Sequence, residues 1–418
     1  MRTDIEAFCV GVSSSLSEAA ARMEASGLGL VLVVDEKQRL LGAVTDTDIR
    51  HAMLEQVRLE QPVRLLLTQG ARAQSMKPVT ASIATDRKTQ LELLKALNVT
   101  HLPLVDEEER VAGLVTSEQM ERPQALPLVA VIMAGGKGTR LYPLTEELPK
   151  PMLEIGGRPL LEIIIQQLRA AGVGRITITT HHKPEKIQTY FGDGRKFGVV
   201  LTYIMEERPL GTIGGLGLMK TPQGTTLVIN GDILTQVNFR ALLAFHQEHQ
   251  ADLTITVRQH NLKVPYGVVE CEGPRVRRMQ EKPVVGFFVN AGIYLLQPIV
   301  YRFILKGERL NMPELIHRLL ARNQSIVSFP LREYWMDIGQ HPDYAQAKKA
   351  AESWELGVPK IGSAPVQPVS RSHRRERTRK GPAWIGGGGG ASSPNRAAAI
   401  ASWRQGAKRG QGKGNRQD

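Results

Sequence analysis

The chain has 418 residues, 42% of them hydrophobic and 23% charged, which is the profile of a globular protein of two to four domains. No apolar run approaches the ~18 residues that cross a bilayer, Met1–Ser15 does not read as a signal peptide, and two cysteines, Cys9 and Cys271, exclude a disulfide framework. The net charge of +13 is carried almost wholly by residues 359–418, where thirteen Lys and Arg face two acids, so +11 belongs to the tail and +2 to the rest. The pI therefore says little about partners of the body, and nucleic acid is not an expected one.

Residues 1–121 contain an internal repeat, about 1–60 and 70–121. Val34-Asp35 recurs as Val105-Asp106 and Gly42-Ala43-Val44-Thr45 as Gly113-Leu114-Val115-Thr116, both at an offset of 71 residues. Helical spacing covers Ser17–Ala25 and Lys88–Leu97. Short apolar strands are expected at Leu30–Val34, Leu40–Val44, Leu102–Val105 and Val111–Val115. Two copies suggest a pseudosymmetric pair. Prolines 123 and 127 mark a linker at 122–127.

From 128 to 356 strands alternate with helices. Leu128–Met133, Arg175–Thr179 and Leu227–Asn230 read as strands. Pro159–Ala171 reads as a helix, with Pro at its first turn and Gly172 beyond its end. The fold class is therefore α/β, a largely parallel sheet with helices on both faces and ligands at the strands' carboxyl ends. The segment 357–418, with Gly386–Gly390 and many arginines, reads as a disordered tail. An RNA-binding arm using Trp384 and Trp403 is the weaker alternative.

The first strand runs into Ala134-Gly135-Gly136-Lys137-Gly138-Thr139-Arg140. Glycines there bring backbone N–H groups close to an anion. It is not a Walker A loop, because Thr139-Arg140 follows Gly138, nor a dinucleotide loop, because Leu141 stands where a third Gly is needed. The run continues through Leu141-Tyr-Pro-Leu-Thr145 to Leu148-Pro-Lys-Pro-Met152. Pro209-Leu-Gly-Thr212, Asn230-Gly-Asp232, Tyr266-Gly267, Glu281-Lys-Pro283, Asn290-Ala-Gly292 and Trp335-Met-Asp-Ile-Gly339 follow in order. Over about 128–355 this resembles the sugar-phosphate nucleotidyltransferases, the family of mannose-1-phosphate guanylyltransferase and glucose-1-phosphate thymidylyltransferase.

The resemblance implies a Rossmann-like, GT-A-like mixed sheet. It also implies transfer of a nucleotidyl group from a nucleoside triphosphate, GTP favoured, to a sugar 1-phosphate such as mannose or glucosamine 1-phosphate. The attacking phosphate oxygen is already ionised, so the work is positioning and charge neutralisation. By resemblance Arg140 steadies the leaving pyrophosphate and Lys150 holds phosphates. Gly135, Gly136, Gly138 and Thr139 cradle the triphosphate, and Gly211 and Thr212 lie near base or sugar. Lys282 takes the sugar phosphate, Glu281 and Asn290 the sugar hydroxyls, and Gly267 allows close approach. Asp232 and Asp337 match the family's ligands for Mg²⁺, which takes few carboxylates besides phosphate oxygens. His181 and His182 read as structural. A non-catalytic nucleotide-binding regulator is the alternative, against which Arg140, Lys150, Asp232 and Asp337 speak.

The repeat resembles a pair of CBS domains (α+β), with Thr45 and Asp48 at the positions that meet phosphate and ribose. That implies AMP, ADP or ATP as a regulatory ligand; Gln119 stands at the ribose position of the second copy. A cytoplasmic homo-oligomer without membrane contact is the expected setting.

Overall fold

The computed structural model describes residues 4–68, 78–97, 99–116 and 126–351. Gln119, most of the 122–127 linker and the 357–418 tail with Trp384 and Trp403 lie outside the described residues.

In the first repeat, strands β1 (Cys9–Gly11), β2 (Leu30–Val34) and β3 (Leu40–Thr45) form one sheet, with helices α1 (Leu16–Ser26), α2 (Asp46–Leu54) and α3 (Arg64–Thr68). The second has β4 (Ala81–Ser82), β5 (His101–Val105), β6 (Val111–Thr116) and α4 (Arg87–Ala96). The 71-residue offset is a structural repeat down to the turns. Asp35 binds Arg39 Nε at 2.8 Å and Asp106 binds Arg110 Nε at 2.7 Å, while Gln38 and Glu109 take φ of +62° and +61°. These turns join the copies: Leu40 N donates to Glu109 O at 3.1 Å and Val111 N to Gln38 O at 2.9 Å. Phe8, Leu32, Val111 and Leu114 pack between them.

The second body is built on a seven-stranded sheet. Its elements in chain order are β7 (Val129–Met133), β8 (Glu154–Ile155), β9 (Arg158–Pro159), α5 (Leu160–Ala170), β10 (Arg175–Thr180), α6 (Pro184–Phe191), β11 (Val200–Met205), β12 (Thr226–Asn230), β13 (Ile233–Thr235), α7 (Phe239–Glu248), β14 (Leu253–Lys263), β15 (Gly267–Glu272), β16 (Arg275–Glu281), β17 (Val284–Leu296), α8 (Met312–Leu320), β18 (Ile326–Leu331), β19 (Trp335–Asp337) and α9 (His341–Ala351). The large sheet has the order β11-β10-β7-β12-β17-β14-β18. Strands β11, β10, β7 and β12 run parallel, as do β14 and β18, while β17 is antiparallel to both neighbours. The sheet is thus mixed.

Side chains of the central strands serve two cores in alternation, as the pleat requires. Ala130, Ile132, Leu227 and Ile229 join Leu161, Ile164, Leu168 and Phe245 on one face. Val131 and Val228 join Leu315 and Leu319 of α8 on the other. Both faces being covered, the strands read as unbroken apolar runs. Strand order reverses between β7 and β12, which makes their carboxyl ends the place where a ligand cleft opens.

The first repeat docks on this body through α2. Arg50, 1% exposed, lies 3.9 Å over the Phe329 ring, contacts Asp46 at 2.5 Å and Glu333 at 2.7 Å, and donates to Pro330 O. Arg332 pairs with Asp46, and His51 meets His249 at 3.0 Å. A buried pair is costly to break from one side, because the partner stays desolvated and unpaired. Replacing Arg50 by Met should therefore cost about 3–5 kcal/mol in denaturant unfolding of the whole chain. Burial works to raise the Glu333 carboxyl, but Arg50 and Arg332 hold it down at about 2. A depressed carboxylate stabilises the fold above its unfolded value near 4.5 and loses that as pH falls toward 2. The stability gap between wild type and Glu333→Gln should be full at neutral pH and close between those values; a gap independent of pH would show that the pair contributes nothing.

Candidate functional site

The glycine loop leaves β7 at the reversal point. Ala134 N donates to Thr179 O at 2.9 Å and Gly231 N to Met133 O at 2.8 Å, so the ends of β10, β7 and β12 are laced together there. None of the hydrogen bonds among the described residues uses the amides of Gly135, Gly136 or Gly138. Those amides are placed to receive an anion. Gly138, at φ +64°, precedes the 3₁₀ turn Thr139–Leu141; a Cβ there would come within 3.0 Å of Thr145 Cγ2 and 3.1 Å of Lys150 Cβ. The Thr145 hydroxyl donates to Gly138 O at 2.8 Å and closes the loop.

Lys150 starts a second 3₁₀ turn, Lys150–Met152, and is 7% exposed. Its Nζ lies 2.5 Å from Asp232 Oδ2 and 3.8 Å from Asp337 Oδ1. The two aspartates, 105 residues apart in the chain, are brought together by the antiparallel ribbon β13–β19, in which Ile233 faces Asp337 and Ile338 N donates to Asp232 O at 3.0 Å. Burial and the Asp232 charge raise the Asp337 carboxyl, while Lys150 and Arg140 pull it back. Arg140 is exposed, with Nη1 3.8 Å from where a Gly339 Cβ would sit. Arg140, Lys150, Asp232 and Asp337 thus form one cluster beside the loop.

The donor set fits a divalent cation. Asp232 Oδ1 is buried with no hydrogen-bond partner, an acceptor left over beside a second carboxylate. Among the described residues no group of three or more His, Cys, Asp or Glu converges, so an ion held by Asp232 and Asp337 would complete its shell with ligand or water oxygens, as hard cations do.

The other residues singled out in the sequence fall into four places. Asn290 is exposed near the end of β12 and accepts from Gly292 N at 3.0 Å, with Gly292 pressed on Asn230. Gly267 faces Glu281 across the β15–β16 hairpin, and Lys282 (φ +47°) follows with its Nζ 3.9 Å from Glu281. Both charged side chains are more than half exposed, at 67% and 59%, and their ion pairing stays within the hairpin. Gly211 and Thr212 sit against the start of α8. A Cβ on Gly211 would lie 2.6 Å from Leu310 O, and Thr212 Oγ1 accepts from Met312 N at 2.8 Å. At the repeat, Thr45 and Asp48 form a capping box on α2: the Thr45 hydroxyl donates to Asp48 Oδ2 at 2.6 Å and Thr45 N donates to the same oxygen at 2.9 Å.

One residue escaped the sequence reading. Glu206, 8% exposed, directly follows β11 at the same cleft; Leu210 N donates to its Oε2 at 3.0 Å, and burial raises its carboxyl. Its Oε1 lies 2.6 Å from a Cβ built on Gly215, so that glycine makes room for it, and 3.8 Å from one on Gly135, an ordinary contact. An acid closing an apolar strand directly before Pro209-Leu-Gly-Thr212 was the available signal. His181 Nδ1 is bound to Glu206 O at 2.8 Å.

The nucleotidyl transferase family model matches residues 129–353, and the CBS domain model matches 1–55 and 74–120. The chain is 37% identical over 224 residues to the mannose-1-phosphate guanyltransferase of Candida albicans, covering 51% of this chain and 62% of that protein. It is 32% identical over 262 residues to the mannose-1-phosphate guanylyltransferase of Mycobacterium tuberculosis, covering 59% and 68%. It therefore spans less than two thirds of the fungal relative. A putative glucose-1-phosphate thymidylyltransferase from Bacillus anthracis, solved with a sucrose, aligns at 23% identity and a TM-score of 0.46, over 55% of this chain and 97% of that one.

The tight turn at Gly138 gives a direct check on the loop. Gly138→Ala should cost about 1–2 kcal/mol in chemical denaturation, since an L-residue is strained at that φ before any clash is counted. No measurable loss would mean the turn is not as drawn.

Proposed function

This chain belongs to the nucleotidyl transferase family, and from that premise we propose that it joins a sugar 1-phosphate to a nucleoside triphosphate, GTP by preference, releasing pyrophosphate. A phosphate oxygen of the sugar 1-phosphate attacks the α-phosphorus, and the bond from that phosphorus to the bridging α–β oxygen breaks. No proton needs removal from the nucleophile. What must be overcome is repulsion between two anions, which positioned cations and amides lower. The single observation that carries the reading is the Lys150–Asp232–Asp337 cluster beside an open glycine loop at the topological reversal of the sheet.

The roles proposed are those the family resemblance implies, with place and charge in their support. The Gly135–Gly138 amides and Thr139 receive the triphosphate, and Arg140, exposed at the loop's far end, meets the pyrophosphate as it leaves. Lys150 holds the phosphate that is attacked. Asp232 and Asp337 would hold Mg²⁺, whose chemistry here is charge neutralisation on the phosphates. Lys282, Glu281, Gly267 and Asn290 receive the sugar phosphate; with two of them more than half exposed, the hairpin is the side from which that substrate enters. Gly211 and Thr212 flank the base and also anchor α8.

GTP fits Glu206. The Watson–Crick edge of guanine offers N1–H and an amino group, both donors, to a carboxylate; adenine presents an acceptor at N1. The relatives' names point to mannose 1-phosphate as the acceptor. Adenine nucleotides remain the ligand proposed for Thr45 and Asp48, where binding requires the capping box to open.

Pyrophosphate release with Mg²⁺, crossing GTP, UTP, dTTP, CTP and ATP with a panel of sugar 1-phosphates, tests the reading. Release requiring GTP together with one sugar 1-phosphate supports it; a folded protein that releases none with any pair refutes it. Asp232→Asn should remain folded and lose Mg²⁺-dependent turnover, and near-normal turnover would remove the metal assignment. Glu206→Gln should lower kcat/KM for GTP about tenfold or more, as expected for a charge-assisted hydrogen bond, while leaving the fold intact. Unchanged base preference would take Glu206 out of base selection.

A further inference from the structure

Between Gly136 and Gly138 stands Lys137, exposed and in no ion pair among the described residues. Other lysines around the loop are committed. Lys150 is held by Asp232 and Asp337, while Lys183 pairs with Glu147 at 3.5 Å and donates to Glu146 O. An uncommitted ammonium inside a run of unused amides is a charge available to an anion.

The neighbours of Lys137 fix where it leaves the backbone. After it, the chain is wedged at Gly138 against Lys150 Cβ and the Thr145 side chain. Before it, Gly136 borders open space, since a Cβ there would meet nothing within 4 Å. Successive Cα atoms are about 3.8 Å apart, so Lys137 starts one residue from the stem of Lys150. Its own flexible four-carbon stem is long enough to cross the mouth of the loop. Arg140 follows three residues on, in the turn that begins after Gly138.

Charge balance calls for a further cation there. Lys150 and Arg140 are matched by Asp232 and Asp337, so the cluster has no formal net charge. A sugar 1-phosphate brings up to about two negative charges, and a nucleoside triphosphate brings more. One divalent ion does not cancel them. Repulsion between the two substrates falls only where cations are in place before the reaction.

We propose, building on the reading of this cleft as a triphosphate site, that Lys137 binds the β- and γ-phosphates together with Arg140. Lys150, pinned between carboxylates, stays with the phosphate that is attacked. The exposed pair takes the part that departs. Lys137 is thus a specificity residue that favours triphosphates and pyrophosphate over monophosphates.

Isothermal titration of the full chain with Mg²⁺ and GTP, GMP or pyrophosphate tests this in the wild type, in the neutral variants Lys137→Met and Lys137→Gln, and in Lys137→Arg. Thermal unfolding checks the fold of each. The expected result is that both neutral variants lose tenfold or more in affinity for GTP and for pyrophosphate and stay within twofold of wild type for GMP. Lys137→Arg should recover most of the loss. GTP affinity within twofold of wild type in either folded neutral variant would overturn the proposal. So would a loss for GMP as large as that for GTP, which would take Lys137 away from the pyrophosphate end. A folded wild type that binds neither GTP nor pyrophosphate would refute the triphosphate reading itself and this proposal with it.

Discussion

The Lys150 ammonium, buried against Asp232 and within 4 Å of Asp337, is the contact on which the cleft depends. Two carboxylates held close together repel, and burial makes that worse. Lys150 offsets the repulsion from within the fold, and it can do so only because the turn that carries it is wedged under Gly138 and Thr145. The glycine loop, the Lys150 turn and the β13–β19 ribbon are therefore one mechanical unit. One acceptor in this unit stays unused, the buried Asp232 Oδ1.

A second clamp fixes the ribbon from behind. Arg258 Nη1 donates to the carbonyls of Leu331, Arg332 and Glu333 at 3.1, 3.1 and 2.9 Å, and Arg50 reaches Pro330 O and Glu333 from the repeat. Tyr334 O accepts from Thr235 Oγ1 at 3.0 Å, and Trp335 Nε1 donates to Ala291 O at 2.7 Å. The stretch that ends in Asp337 is thus pinned by the transferase core on one side and by α2 on the other. Any displacement of α2 has a short, hydrogen-bonded route to an aspartate of the cleft. The repeat's Thr45–Asp48 box sits at the start of that same helix, so a ligand that opened it would act on the docked end.

Legibility in the sequence followed the range of the interaction. The repeat was readable because its turns are local: an Asp that binds an Arg four residues on leaves the same mark twice. The helix at 160–170 and the strands at 129–133, 175–180 and 226–230 were readable because burial on both faces writes apolar runs and a capped, periodic helix. The long β14–β17 pair was not, because its outer half is exposed and its pattern follows a flange that leaves the core. Glu206 was passed over since an acid in a Glu-Glu-Arg run after a strand resembles any loop residue. Only Gly215, whose missing side chain makes room for it in the fold, marks it out.

The sequence by itself determined the family, the loop and the identity of the four charged residues, because those depend on residue types at fixed local spacing. Which of them meet was decided by tertiary structure alone. Asp232 and Asp337 become neighbours through a two-stranded pairing across more than a hundred residues, and no local pattern encodes that register. The same holds for Arg50. In the chain it is one more surface-type cation on a short helix; in the fold it is fully buried under Phe329 and Glu333, because the repeat covers it on one side and the sheet edge on the other. Burial of a charge is a property of what arrives from elsewhere in the chain, and that is the information a linear reading lacks.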